Sequence, residues 1–370
     1  MCSLSKYLCH TLMAMVLCLL VGCESELEKS EAYFDQIAET TSLDAMLNAT
    51  AKTIVDLDRL DLEVVYPDTT WGTVDLKADD VLFFAKPISI TIFNDSLYIA
   101  DMASESIIVS SLDGQLTRQL GRPGEGPGEF QNITEITTNG TYLFVREAGN
   151  RIQVFNHQFN YVEAISAPSH SGIAVNDKFL YAPAADKSDS ALVSVYAIEP
   201  SFNKVRHLLP LLSKVPYAYN NYVVTTDKKG FIYLAYKALP YIFVFDDQFI
   251  HRHTIELSGQ AIIDVGLTPT RLESSSNTTL VQSFFQLLKV LEGDYLAVGN
   301  MNRLYLLDLH SPRFEMVKRI KFDEVGESKG DQGLHFSDMI LHEGKLYLVT
   351  SFRPRLYQFR FDTDRDPLLP

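Results

Sequence analysis

The chain has 370 residues, of which 46% are hydrophobic and 21% charged, enough apolar material for a sizeable core and too little charge for a disordered chain. Its 47 acidic against 32 basic residues give a formal charge of −15 at pH 7, which argues against a partner held by phosphate neutralisation, so no nucleic acid is expected. All four cysteines, Cys2, Cys9, Cys18 and Cys23, precede the body of the chain, which therefore has no disulfide framework, no Cys-ligated zinc and no thiol nucleophile.

Residues 1–22 form an address segment. Lys6 sits in a short polar start, an apolar run from Leu12 to Val21 follows, and the run is too short to span a bilayer. Its ending, Leu20-Val21-Gly22-Cys23, resembles the lipobox of bacterial lipoproteins, and that resemblance implies that Cys23 becomes the lipidated first residue of the mature protein. A plain signal peptide with a chance cysteine is the alternative. Cleavage removes only Lys6 among the charges, taking the formal total from −15 to −16. Glu24, Glu26 and Glu28 follow. The missing Asp after the cysteine implies, by the same resemblance, an outer-membrane location facing the periplasm or the exterior, with the lipid membrane as a partner through acylated Cys23. The acidic cluster is similar to the surface-export tether of Bacteroidota lipoproteins, or else is a solvated spacer.

Residues 23–58 read as a tether with one short helix, since Leu43, Met46 and Leu47 fall at helical spacing after Ser42, a possible N-cap. The remainder, 59–370, is rich in β-favouring aromatics, the whole chain having 22 Phe and 18 Tyr. A pair of short apolar runs recurs six times in it. The copies are Leu97–Ala100 with Ile107–Val109, Tyr142–Val145 with Ile152–Phe155, Phe179–Tyr181 with Leu192–Tyr196, Phe231–Leu234 with Tyr241–Phe245, Tyr295–Val298 with Leu304–Leu307, and Leu346–Val349 with Leu356–Phe359. Tyr98, Leu143, Leu180, Tyr233, Leu296 and Tyr347 are equivalent, at spacings of 45, 37, 53, 63 and 51 residues, the period of propeller blades. A further strand on each side of every pair makes four antiparallel strands per blade, and six copies make six blades. The last blade runs out of chain after Phe361. Leu60–Tyr66, reading LDLEVVY, is expected to supply its missing outer strand from the N-terminal side and hide two sheet edges. The long interval before the fifth blade, Leu267–Gln282, reads as an insertion loop.

Between the first two blades lies Leu120–Ile133, LGRPGEGPGEFQNI, whose interleaved glycines and prolines allow neither a helix nor a ladder strand, with Phe130 as the first apolar anchor after it. The stretch LGRPGEGPGEF resembles the linker that marks six-bladed propeller lipoproteins of Bacteroidota. Gly149-Asn150-Arg151-Ile152-Gln153-Val154-Phe155 resembles the NHL signature at the start of a blade's third strand, and Asn302-Arg303-Leu304 and Pro354-Arg355-Leu356 repeat its Arg-apolar step. The chain is on these grounds identified as a member of the NHL-like six-bladed propellers, a resemblance that covers Leu60 to Phe361 and implies an all-β fold closed by an N-terminal strand.

That fold is nearly silent on activity. Ligands of propellers usually meet the face that gathers the second-to-third-strand turns and the inter-blade connections. Arg122, Arg146, Arg151, Tyr236, Lys237, Arg303, Arg353 and Arg355 fall there, and guanidinium forks suit carboxylates, sulfates or acidic sugars. The competing reading makes Arg151, Arg303 and Arg355 ties between blades. His170 and His335 lie in connections on the same face as candidates for acid–base work or metal ligation. His251 and His253 alternate in FIHRHTIEL and are expected on one strand face. Tyr219, in a Tyr-Asn cluster from Tyr217 to Tyr222, suits a sugar or a peptide. No G-x-S-x-G elbow, H-E-x-x-H or Walker loop is present, and neither the calcium set of lactonase-like propellers nor the histidines of lyase-like ones maps onto the chain. The sequence thus points to a lipid-anchored binding or scaffolding protein of the bacterial envelope, without cofactor or metal, taking a protein, peptide or glycan ligand at the rim of the central channel. The alternative is a metal-dependent lyase or hydrolase with its site in the channel.

Overall fold

A computed structural model describes residues 43–72, 84–168, 171–184, 191–210, 220–265, 283–292, 295–324 and 333–361. The insertion at Leu267–Gln282 lies outside them, as does Cys23. Six antiparallel sheets follow one another along the chain and stand round a common axis, so the molecule is a six-bladed β-propeller. Blade I comprises Pro87–Phe93, Ser96–Asp101, Ser106–Ser110 and Leu116–Leu120. Blade II has Ile133–Thr138, Leu143–Glu147, Arg151–Phe155 and Tyr161–Ser166. Blade III has Ala174–Val175, Phe179–Pro183, Ala191–Ala197 and Asn203–Pro210. Blade IV is built from Tyr222–Thr226, Ile232–Tyr236, Tyr241–Phe245 and His251–Ser258. Blade V is built from Leu287–Leu291, Tyr295–Asn300, Arg303–Asp308 and Met316–Phe322, and blade VI from Asp338–His342, Lys345–Thr350 and Arg353–Arg360. In every blade the first strand lies nearest the axis.

Each sheet is covered on both faces by its neighbours, so the middle strands are buried throughout, as in Leu143–Glu147 and Tyr241–Phe245. This is why they read in the sequence as apolar quartets rather than as alternating strands. The outer strand of blade II, by contrast, is largely exposed from Tyr161 to Ser166. Among the described residues the core is six separate wedges, one in each gap between blades. Tyr98, Phe130 and Phe155 fill the gap between I and II, for example, and Tyr222, Tyr236 and Phe243 the gap between III and IV.

The N-terminal segment is a belt along the outer edges of half the ring. Helix α1 (Leu43–Asn48) drops Met46, 1% exposed, into the wedge between blades III and IV. Strand β1 (Ala51–Asp56) then adds in parallel to His251–Ser258, the outer strand of blade IV. Strand β2 (Glu63–Val65) does the same to Met316–Phe322 of blade V. Strand β3 (Thr69–Trp71) pairs antiparallel with Arg353–Arg360 and completes blade VI. Ring closure by an N-terminal strand is therefore present, but Leu60–Tyr66 is not that strand. LDLEVVY is the more apolar segment, yet its central residues serve blade V, and the short TTW closes the ring. Likewise Ala51–Asp56, in the stretch read as tether, is part of a sheet.

Trp71 seals the closure. Its indole lies against Gly114, in the turn before the outer strand of blade I, where φ is +85° and an added Cβ would sit 2.0 Å from the ring. The side chain also packs against the wedge between blades VI and I.

The two histidines of FIHRHTIEL do not share a face. A β-bulge between Val244 and Phe245 pairs His253 with one and His251 with the other, leaving Arg252 as the extra residue and breaking the alternation. His251 is buried against Phe243 and Phe245 on the blade III side and bonds the His253 carbonyl and Thr254 Oγ1, each at 3.0 Å. His253 turns the other way, to Phe314 and to Thr53 Oγ1 of the belt at 2.8 Å.

Trp71→Ala should lower unfolding stability by about 2–3 kcal/mol, read from urea denaturation, and Gly114→Ala should destabilise through the clash. Burial pushes the His251 pKa down to about 4 from 6.5. Its folded value is thus the lower one, so the stability it contributes is present above pH 6.5 and is lost as pH falls towards 4. The fall in melting temperature over that window should be shallower in His251→Gln than in the unsubstituted protein.

Candidate functional site

Where six first strands converge on an axis, their edges face one another across a gap that no ladder can bridge. The residues there are small and polar or β-branched, including Ser89, Thr91, Thr134, Thr137, Thr225 and Ser337, and they enclose a channel of about 330 Å³ lined by all six blades.

Side chains bridge the six junctions. Ser89 Oγ accepts the Ile136 N–H at 3.2 Å between blades I and II, and Glu135 Oε2 accepts the Ile173 N–H at 3.1 Å between II and III. Ser171 Oγ accepts the Tyr222 N–H at 3.2 Å between III and IV, and Thr225 Oγ1 accepts the Val290 N–H at 3.1 Å between IV and V. Lys289 Nζ donates to Asp338 Oδ1 at 2.9 Å between V and VI. Asp338 Oδ2 then accepts Ser89 Oγ–H at 2.7 Å and the Ile90 N–H at 2.9 Å, joining VI to I.

A second charged group lies at the channel mouth. Glu135 follows a bulge in the first strand of blade II, and Arg146 stands opposite it on the second strand. Arg146, 7% exposed, donates from Nε to Glu135 Oε2 at 3.1 Å. Lys237 follows the second strand of blade IV and lines the channel between the same walls. Burial in this cavity pushes the Glu135 carboxyl up from its usual range, against the pull of Arg146. Burial likewise pushes the Lys237 ammonium down, against the pull of Glu135. Both shifts express the cost of holding charge in a space with little water.

Of the residues expected at the rim, Arg146 alone among the arginines lines the channel. Arg122 is exposed and pairs with Glu129 at 2.7 Å. Arg151 pairs with Glu147 at 2.9 Å and donates to the Glu125 and Glu129 carbonyls, so it holds the Gly-Pro connector on blade II. Glu147, 1% exposed, also accepts from Gln131 N–H and Gln153 Nε2. Arg353 and Arg355 both meet Glu324, which accepts the Tyr357 hydroxyl at 2.6 Å as well. These arginines act as ties, and each is answered by a carboxylate. Arg303 opens its strand beside the Tyr305 hydroxyl, whose pKa burial pushes up while the cation pulls it down. Tyr236 is fully buried in the wedge between III and IV, with its ring 6.1 Å from Phe243, and is core rather than rim. His335 meets the ring of Phe352 at 5.8 Å and is not among the residues that line the channel. His170 and Tyr219 lie outside the described residues.

Sequence reasoning did not single out Glu135, Lys289 and Asp338. The available signal was a lone charge inside a short inner strand, as in ITEITT, LLKVL and DMILH. Among the described residues no three His, Cys, Asp or Glu side chains gather closely enough to hold a metal ion, and no helix is long and apolar enough to cross a membrane.

A family described as 6-bladed beta-propeller matches residues 74–325. Solved structures similar to this chain include a protein of Bacteroides fragilis described as exported, 15% identical over 83% of this chain and 80% of that one, with a TM-score of 0.45. U3-55K is 12% identical over 75% and 95%, at 0.45. A chain of the mitotic checkpoint complex is 10% identical over 82% and 94%, at 0.48.

Asp338→Asn replaces an acceptor pair with a group that cannot receive Ser89, Ile90, Lys289 and Met339 together. It should cost about 2–4 kcal/mol of stability, measured by chemical denaturation, with the ring opening first between blades VI and I in hydrogen exchange.

Proposed function

The chain belongs to the 6-bladed beta-propeller family, and on that premise we propose that it is a lipid-anchored, NHL-like binding module of the bacterial outer membrane whose ligand lodges at the mouth of the central channel. The observation that carries this reading is the charged group Glu135, Arg146 and Lys237, held half inside a cavity of about 330 Å³. Ring closure at the opposite wall uses Lys289 and Asp338, whereas Lys237 bridges no blades through its side chain among the described residues. A charged side chain kept in a desolvated cleft without a stapling role is the usual mark of a binding site. The anchor is supported by the Leu20–Cys23 motif and the acidic run after it, and it would hold the channel face near the envelope as a receptor for a peptide or glycan ligand.

Two experiments test the two halves. Cys23→Ser protein expressed with its leader should move from the detergent to the aqueous phase in Triton X-114 partitioning, and continued detergent partitioning would remove the anchor. For the channel, Gly172 lies beside Glu135, and a Cβ built there makes only ordinary contacts, the nearest at 3.7 Å. Gly172→Trp should therefore start its side chain without a clash and plug the mouth, with an unchanged urea unfolding midpoint as the check that the ring is intact. On an immobilised panel of glycans and peptides, binding by the unplugged protein should vanish with the plug. Binding that survives the plug places the ligand elsewhere.

A further inference from the structure

We propose, resting on that reading, that the channel mouth is a site for an acidic monosaccharide: Lys237 receives the sugar's carboxylate and the hydroxyl-lined channel wall receives the ring.

Among the described residues the charges of the channel lining do not cancel. Arg146, Lys237 and Lys289 face Glu135 and Asp338, so these side chains carry one surplus positive charge inside a chain whose formal total is −15. Lys289 is bound to Asp338 at 2.9 Å and Arg146 to Glu135 at 3.1 Å, which leaves Lys237 as the surplus. Glu135 acts on Lys237 electrostatically, but its Oε2 already accepts from Arg146 and from the Ile173 N–H. Among the described residues no side chain accepts a hydrogen bond from Lys237 Nζ. The backbone of Lys237 is nonetheless fixed. Its N–H donates to the Asn221 carbonyl at 2.7 Å, and its own carbonyl accepts the N–H groups of Phe284 at 2.7 Å and Phe285 at 3.2 Å. The root of the side chain is therefore fixed, and its ammonium is confined to the mouth of the cavity that an entering anion must pass.

The count of charge selects the anion. A single surplus cation is balanced by a monoanionic carboxylate. A phosphate dianion would bring excess negative charge into a cavity that already holds Glu135 and Asp338, at a desolvation cost that Lys237 alone does not offset. Size and lining select the rest of the ligand. A volume of about 330 Å³ is at the small end of ligand cavities and suits one ring rather than a threaded polymer. Thr134, Thr137, Thr225 and Ser337 offer hydroxyls to a polyol, with the capacity left after Thr134 donates to the Arg146 carbonyl and Thr225 and Ser337 accept N–H groups, and Gly172 presents no side chain beside Glu135. An end-on uronic acid residue meets all of these conditions.

Titration calorimetry with the folded mature protein would use D-galacturonate and D-glucuronate, with D-galactose, N-acetylalanine and inorganic phosphate as comparisons. At least one uronate should bind, D-galactose should bind roughly tenfold more weakly or worse, and Gly172→Trp should abolish the signal. Lys237→Met should weaken uronate binding by about tenfold or more while leaving the urea unfolding midpoint in place, and Lys237→Arg should retain it. Affinity should also fall as pH is raised, beginning below 10.5, because Lys237 must be charged to bind. The proposal is overturned if D-galactose, N-acetylalanine or phosphate binds as tightly as the uronates, if neither uronate binds at millimolar concentration, or if Lys237→Met binds unchanged. A plug-sensitive ligand of another class on the panel would overturn the sugar assignment and leave the channel-mouth reading standing. Binding indifferent to the plug would sink both.

Discussion

The molecule depends on closing the inner circumference of a ring whose members cannot pair with one another there. First strands of neighbouring blades point their open edges across the axis at angles that exclude a ladder, and buried backbone groups on those edges still need partners. The solution is one side chain per junction reaching across to the next blade, with Ser, Thr, Glu, Lys and Asp used in turn. Asp338 is the extreme case, since it serves blades V, VI and I together. The apolar wedges supply most of the burial, but wedges alone would tolerate sliding between sheets. The directional bonds near the axis set the angle at which each wedge closes, and so set the width of the channel and the spacing of its charges.

The outer circumference meets the opposite difficulty, exposed edges that invite other strands. Half of it is covered by the belt of β1, β2 and β3 on blades IV, V and VI. On the other half the edge strands protect themselves. Leu116–Leu120 presents Arg118 and Gln119, and Tyr161–Ser166 presents Glu163 on a largely exposed strand.

Much of this was legible before any coordinates. Middle strands buried on both faces must be apolar without interruption, so Tyr142–Val145 or Tyr241–Phe245 announces itself, and the period of those pairs reveals the ring. The closing strand is not legible, because LDLEVVY and TTW both precede the first blade and both are placed to reach the last one. An outermost strand has one face in solvent, so Thr69–Trp71 can do the work with two threonines and one indole placed over Gly114, while the more apolar Glu63–Val65 only reinforces blade V. The bulge that turns His251 and His253 to opposite faces leaves no mark in the letters FIHRHTIEL. At the face of the ring, arginine counted as a ligand signal says little until its carboxylate is known, and Glu129, Glu147 and Glu324 lie distant in sequence or in a different element. The informative residues were the lone charges in inner strands, where the fold gives a charge no route to bulk water except through the channel.

The belt also orders events in time. Residues 51–71 leave the ribosome before any blade exists, yet Thr53 meets His253, 200 positions later, and Asp68 meets Arg360, 292 positions later. The belt can therefore settle only in stages, Ala51–Asp56 once blade IV exists, Glu63–Val65 once blade V does, and Thr69–Trp71 last of all on blade VI. Docking of that final strand is a report that synthesis has finished, and a chain stalled or cut short upstream of blade VI would carry Thr69–Trp71 loose, as a visible label of an unfinished product.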